Sequence, residues 1–172
     1  PKVLEDERGR LLDLMLDSHQ YTYKKKVAIY GDPDIVYAFT SLCLELSMCP
    51  KYIITGTPKE SWVKEIRALM SQYGVDESEY VVKADTDLFY LHQLIKNEGV
   101  DLLLGSSYGK QIAKAEDIPM VRMGFPVLDR YGNPIQASVG YAGGIRYVEK
   151  IVDAMMDRQD RDALDEDFDV VM

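Results

Sequence analysis

Short apolar runs alternate with amphipathic stretches along this chain, and that alternation restricts its fold more than any other feature. Lys25–Tyr30 (KKVAIY), Lys51–Thr55 (KYIIT), Glu79–Lys83 (EYVVK) and Asp101–Leu104 (DLLL) are β-rich, and Met120–Met123 (MVRM) is a candidate fifth strand. Between them the apolar residues recur with helical spacing. The DLLL run has no polar alternation, as expected of a strand covered on both faces. Strands separated by helices are joined as parallel βαβ units with right-handed crossovers. The expected fold is α/β: a Rossmann-like three-layer αβα arrangement, with an open, mainly parallel sheet of four to five strands and helices on both faces.

Local signals place the helices. In Gly31-Asp32-Pro33-Asp34, Asp32 can cap and Pro33 can take the first helical position, where no N–H is needed. That helix is expected to reach about Met48, with Ile35, Val36, Phe39, Leu42, Cys43 and Leu46 on its inner stripe. Thr57 and Pro58 are expected to open the next, which carries Trp62, Val63, Ile66, Leu69 and Met70 and stops at Gly74. Leu88–Asn97, a short stretch from Tyr108 to about Lys114, and a long one from Gly143 to Arg161 complete the set, after a leading helix from about Glu5 to Tyr21. The last long helix should turn Ile145, Val148, Ile151, Val152, Met155 and Met156 inward. The chain reads as one domain: residues 1–22 a leading helix, 23–164 the core, 165–172 an acidic tail, with Asp157–Asp169 expected to fray. It opens without Met on a run that heads into a helix, as a piece of something longer would.

With 172 residues, the chain can bury about 70% of its unfolded surface. Its 29 acidic and 20 basic residues give a net charge of −9, the opposite of what phosphate neutralisation requires, so nucleic acid is not an expected partner. The only basic run, Lys24–Lys26, reads as a solvated strand entry. No stretch approaches the ~20 apolar residues of a bilayer span, and Pro1–Arg10 has no apolar signal-peptide core. Cys43 lies in an apolar run and Cys49 stands alone. Two thiols complete neither a zinc nor an iron–sulfur site, and a reducing, cytoplasmic setting fits them best.

Candidate sites are few. The Gly31-Asp32-Pro33-Asp34 turn lacks GxGxxG, and its carboxylates would repel a pyrophosphate. Gly105-Ser106-Ser107-Tyr108-Gly109-Lys110-Gln111 is similar to a phosphate loop but has three residues between its glycines and Gln after Lys. A helix start whose serines satisfy amides is the simpler reading, with an anion site as the other. Asp13 and Asp17, four apart on a helix, share one face. Their mutual repulsion would become attraction around a hard cation, yet two carboxylates fall short of calcium's roughly six to eight oxygens, and a solvated face also explains the spacing. His19 and His92 stand apart from any Cys or Ser and read as surface or capping groups. Asp129-Arg130 could clamp a substrate or pin a loop.

Taken together, Glu7-Arg8-Gly9-Arg10-Leu11-Leu12-Asp13, the turn at 31–34, GSSYGK at 105–110, Ile118–Pro126 (IPMVRMGFP), Asp129-Arg130, Gly140-Tyr141 and Gly143-Gly144 resemble the nitrogenase component 1 family, specifically its β-type subunits in their C-terminal third. The order and spacing of these segments span nearly the whole chain. In the α-type subunits a cofactor-ligating His stands near the segment matching Gly124. Here the text is Arg-Met-Gly-Phe-Pro, which favours the β type.

The resemblance implies a part in ATP-driven reduction of dinitrogen to ammonia by an α2β2 protein served by an iron protein. It implies partners in the α subunit, a second β subunit and the iron protein. The P-cluster ligands of the family are cysteines of an N-terminal domain absent here, and the iron–molybdenum-type cofactor belongs to the α subunit, so this domain is expected to hold no cofactor and to be inactive alone. One position carries over: Asp13 and Asp17 match an Asp pair that helps bind a cation, calcium or another divalent ion, between two β chains. The molybdenum, vanadium and iron-only types all stay open. So do a cofactor-assembly scaffold and a free-standing small-molecule-binding domain.

Overall fold

The computed structural model describes residues 2–163; the acidic tail at 165–172 lies outside them. Five strands, β1 (Lys26–Tyr30), β2 (Cys49–Ile54), β3 (Val81–Lys83), β4 (Leu102–Gly105) and β5 (Met120–Arg122), alternate with helices α2 (Pro33–Glu45), α3 (Glu60–Gln72), α4 (Leu88–Asn97) and α5 (Lys110–Ala115). Helix α1 (Lys2–Thr22) precedes them and α6 (Gly140–Asp162) follows.

All pairings are parallel, in the order β3-β2-β1-β4-β5. The order reverses between β1 and β4, where a doubly wound sheet opens its ligand crevice at the carboxyl ends of the strands. Side chains of each strand divide between two cores. Val27, Ile29, Ile53, Leu102 and Leu104 meet Val36, Phe39, Trp62, Ile66, Val148 and Ile151 from α2, α3 and α6. Ala28, Tyr30, Tyr52, Ile54 and Leu103 meet Leu91, Ile95 and Ile112 from α4 and α5. Helix α1 lies against α6, where Gly144 gives room to Leu11. The expected three-layer α/β fold is what the chain adopts.

Several boundaries differ, each for a local reason. Helix α2 stops at Glu45 because Ser47 turns left-handed (φ 57°) and the Met48 amide closes onto the Cys43 carbonyl at 2.9 Å. Asp32 holds the cap position without a side-chain cap bond. Helix α3 starts at Glu60 rather than Pro58: the Thr57 amide is tied to Thr55 Oγ1 at 3.3 Å, and its carbonyl accepts from the Asp85 amide. Strand β3 begins at Val81 because Asp76 and Glu79 form a reciprocal capping box around a 3-10 turn over Glu77–Glu79. In α6, Tyr147 is buried while Met156 is exposed, and the helix persists to Asp162, so the fraying expected from Asp157 does not begin there. Arg161 meets the Asp117 carboxylate at 2.7 and 2.8 Å and fastens that last turn.

Candidate functional site

The carboxyl ends of the strands surround an open cleft of about 900 Å³, with Gly31, Asp32, Gly56, Asp85, Asp87, Ser106, Tyr108 and Phe125 on its walls. It has the position of a nucleotide crevice without the chemistry. The cleft lining includes three Asp and no Lys or Arg, and Asp87 is committed to capping α4 through the Tyr90 amide at 2.9 Å.

The phosphate-loop-like segment is also filled from within. The Tyr30 ring, at the end of β1, lies against Gly105 and Gly109: a Cβ at either position would fall 2.1 Å and 2.3 Å from its atoms. The Tyr30 hydroxyl donates to the Ser106 carbonyl and accepts from the Gly109 amide at 2.7 Å. Burial pushes its phenol above the ordinary range, against the opposing pull of these hydrogen bonds. The Ser107 amide is spent on the Pro126 carbonyl at 3.0 Å. Glycines that could have cradled a phosphate cradle a phenol instead.

Ser107 Oγ donates to Asp129 Oδ1 at 2.6 Å and accepts from the Leu128 amide at 2.8 Å. Arg122, at the end of β5, gives Nη2 to Asp129 Oδ2 at 2.8 Å and Nη1 to the Met120 carbonyl at 3.0 Å. The Arg122 guanidinium, then Ser107, hold the Asp129 carboxyl down at about 2. The neighbour in sequence, Arg130, stands 3.6 Å away and is mostly solvated. Asp129 therefore pins a loop, and Arg122 is its partner.

That pin fixes a segment between β5 and α6 with an unusual surface. Phe125, Leu128, Ile135 and Val139 are 82%, 75%, 89% and 82% exposed, and Tyr131 is wholly exposed. A second anchor holds its far half: Arg146 Nη2 donates to Asn133 Oδ1 at 2.6 Å and Nη1 to the Ala137 carbonyl at 2.8 Å. Apolar groups exposed over such a stretch form the kind of patch that serves as a contact surface in other proteins.

Asp13 and Asp17 sit on the outward face of α1 and are exposed, beside Leu12 and Leu16, which are exposed as well. Met15 packs against the core. No third His, Cys, Asp or Glu joins the pair in a metal-binding group among the described residues. His19 stacks near Tyr23, and His92 Nε2 meets Glu116 Oε1 at 2.6 Å, bridging α4 to the end of α5.

Residues 1–156 match a family model described as nitrogenase component 1 type oxidoreductase. The chain belongs to this family. It is 49% identical over 171 residues to the nitrogenase molybdenum-iron protein beta chain of Clostridium pasteurianum, covering 99% of this chain and 37% of that one. It is 33% identical over 171 residues to the beta chain of Azotobacter vinelandii, covering 94% and 32%. A solved structure described as "Nitrogenase Cp1 at pH 6.5" superposes with a TM-score of 0.95 at 48% identity, over 100% of this chain and 37% of that one. The chain thus spans about a third of the length of the curated relatives it matches, and it is a partial β-chain counterpart.

Membership implies iron–sulfur clusters in the parent proteins, and the thiols here do not fit one. Cys43 is fully buried in the core, where burial pushes it up to about 12, far from the thiolate a cluster needs. Cys49 is exposed at the start of β2. No described helix is long and apolar enough to cross a membrane. Three features escaped sequence reasoning: the Tyr30 plug, the pairing of Asp129 with Arg122, and the exposed apolar segment between Phe125 and Val139. An aromatic residue ending the strand beside a Gly-x-x-x-Gly turn was the available signal for the first; nothing local signalled the second.

Proposed function

We propose that this chain is the C-terminal domain of a molybdenum–iron-type β subunit, serving as scaffold and subunit interface in the enzyme that reduces dinitrogen to ammonia. The observation that carries the reading is the doubly anchored apolar segment between Phe125 and Val139, in a chain whose relatives are named as beta chains. Catalysis belongs to the whole protein, whose P-cluster and iron–molybdenum-type cofactor are held by residues outside this chain. Its partners are the α subunit, a second β subunit and the iron protein, in the cytoplasm. The chain is one domain, with the leading helix at 1–22, the core at 23–164 and the tail at 165–172; the contact of α1 along α6 supports including the helix.

Asp13 and Asp17 serve as two ligands of a cation shared between β chains. Their exposure on one helix face supports this, since a second chain can bring the remaining oxygens that calcium needs.

The test is the full-length β-type chain co-expressed with its α-type partner, with Tyr131→Asp and Ile135→Asp introduced. Native mass measurement should show loss of the heterotetramer, and ammonia formation from labelled dinitrogen should fall with it. Full assembly of both variants, or dinitrogen reduction by the 172-residue chain alone, would overturn the reading.

A further inference from the structure

The crevice at the carboxyl ends of the strands is unsuited to phosphate, yet its lining has a consistent chemistry of its own. Asp32, Asp85 and Asp87 stand in it with no Lys or Arg among the lining residues. Asp87 is spent on the Tyr90 amide. Asp32 makes no side-chain bond from the cap position of α2, and among the described residues neither Asp32 nor Asp85 joins an ion pair. Ser106 is 5% exposed, lines the same cleft and makes no side-chain cap bond at the turn that follows it. Among the described residues the side-chain polar atoms both sealed from solvent and unpartnered are Arg122 Nε and Arg146 Nε. The Ser106 hydroxyl is therefore open to solvent, and its opening is the cleft. Tyr108 and Phe125, 64% and 82% exposed, add two aromatic rings to the walls.

We propose that this cleft binds a small aliphatic polyamine, with ammonium groups on Asp32 and Asp85, a further N–H on the Ser106 hydroxyl, and methylenes against Tyr108 and Phe125. Carboxylates and aromatic faces both attract cations, and no lining cation competes with the ligand for them. A bare metal ion fits less well: among the described residues no three His, Cys, Asp or Glu side chains converge closely enough to hold one. Separated carboxylates suit charges spaced along a chain. The volume of about 900 Å³ lies in the range of small-molecule pockets, roughly 300–1,000 Å³. The net charge of −9 draws cations toward the surface, and the cleft supplies the groups that seat one. The site stands apart from the interface reading above, so Tyr131→Asp and Ile135→Asp should bind the ligand as the wild type does.

Titration calorimetry with spermidine tests this, on the 172-residue chain and on the full-length chain with its α-type partner. Both should show saturable binding at one site, weakening as salt rises, and a neutral aliphatic diol of similar length should not bind. Asp32→Asn and Asp85→Asn should each weaken binding about ten-fold. Asn keeps the capping ability at position 32 and tolerates the left-handed φ of 52° at position 85, so both variants should melt with the wild type. Ser106→Ala, which leaves the charge alone, should weaken binding by a smaller factor. Asp13→Asn with Asp17→Asn removes two charges from α1 and should leave binding nearly as it is. An equal loss from that α1 pair would make the attraction diffuse and overturn the site. So would wild-type affinity in Ser106→Ala, since only a seated ligand senses that hydroxyl. Magnesium displacing spermidine with equal affinity would overturn the ligand class. Binding by the 172-residue chain alone would mean that the rest of the parent chain covers the cleft, and would overturn the site in the whole protein.

Discussion

Asp129 bears a stabilising load out of proportion to its size, because one carboxylate satisfies Arg122 and Ser107 and so ties the β5–α6 loop to β4's exit. Asp129→Asn should cost about 1–3 kcal/mol, read by urea unfolding at neutral pH. Its folded pKa is depressed, to about 2, below the ~3.9 of an unfolded Asp. Its contribution is therefore complete above about pH 4 and lost as pH falls through 2, so the wild type and Asp129→Asn should converge over that window. Gly105→Ala should be worse, at about 3 kcal/mol or more, since its methyl would enter the Tyr30 ring; a double variant with Tyr30→Ala should recover part of the loss, as coupled neighbours do. Thermal melts of the four proteins would check this. At this scale the sequence was partly legible. The Arg–Asp pair pinning a loop was visible as a possibility in Asp129-Arg130, and Arg130 does stand 3.6 Å from that carboxylate, but adjacency gave no sign of Arg122, which holds it at 2.8 Å. Arg122 reaches Asp129 because β5 ends beside the returning loop, a relation that sequence distance does not encode.

Among the elements, α1 separates what a helix does for its own fold from what it offers outward. Leu11, Leu14 and Met15 pack against the core, while Asp13 and Asp17 face solvent. Replacing both with Asn should leave the chain's melting temperature unchanged or slightly higher, by relief of i,i+4 repulsion. In the full-length protein the same change should weaken contact between β chains and reduce its response to calcium, measured by sedimentation with and without the ion. A large stability loss in the chain alone, with assembly unaffected, would make the pair structural. Helices and strands were legible because apolar spacing reports which face is buried. Starts and stops were not, where long-range partners decided them: Thr57, a good cap by type, is taken by the loop after β3, and α6 is held to Asp162 by Asp117, from the far side of β5.

For the molecule as a whole, alternating strands and helices call for parallel βαβ units with right-handed crossovers, so the fold class could be read from pattern alone, while the strand order could not. The exposed apolar surface could not, because Phe125, Leu128, Tyr131, Ile135 and Val139 follow no period and read as ordinary loop apolar residues. Their exposure predicts that the 172-residue chain self-associates weakly as its concentration rises. Sedimentation velocity should show this, and Tyr131→Ser with Ile135→Ser should reduce it. The two anchors, Asp129 at one end and Arg146 toward the other, have a kinetic consequence. A surface loop free to wander would have to be ordered at each docking event, losing about 0.5–1.5 kcal/mol for every rotamer-rich side chain it immobilises. Here much of the backbone ordering has already happened during folding. On the proposed interface reading, an arriving subunit would meet a template, and the time to form a productive complex would be set by encounter and orientation, with little waiting for the loop to find its shape.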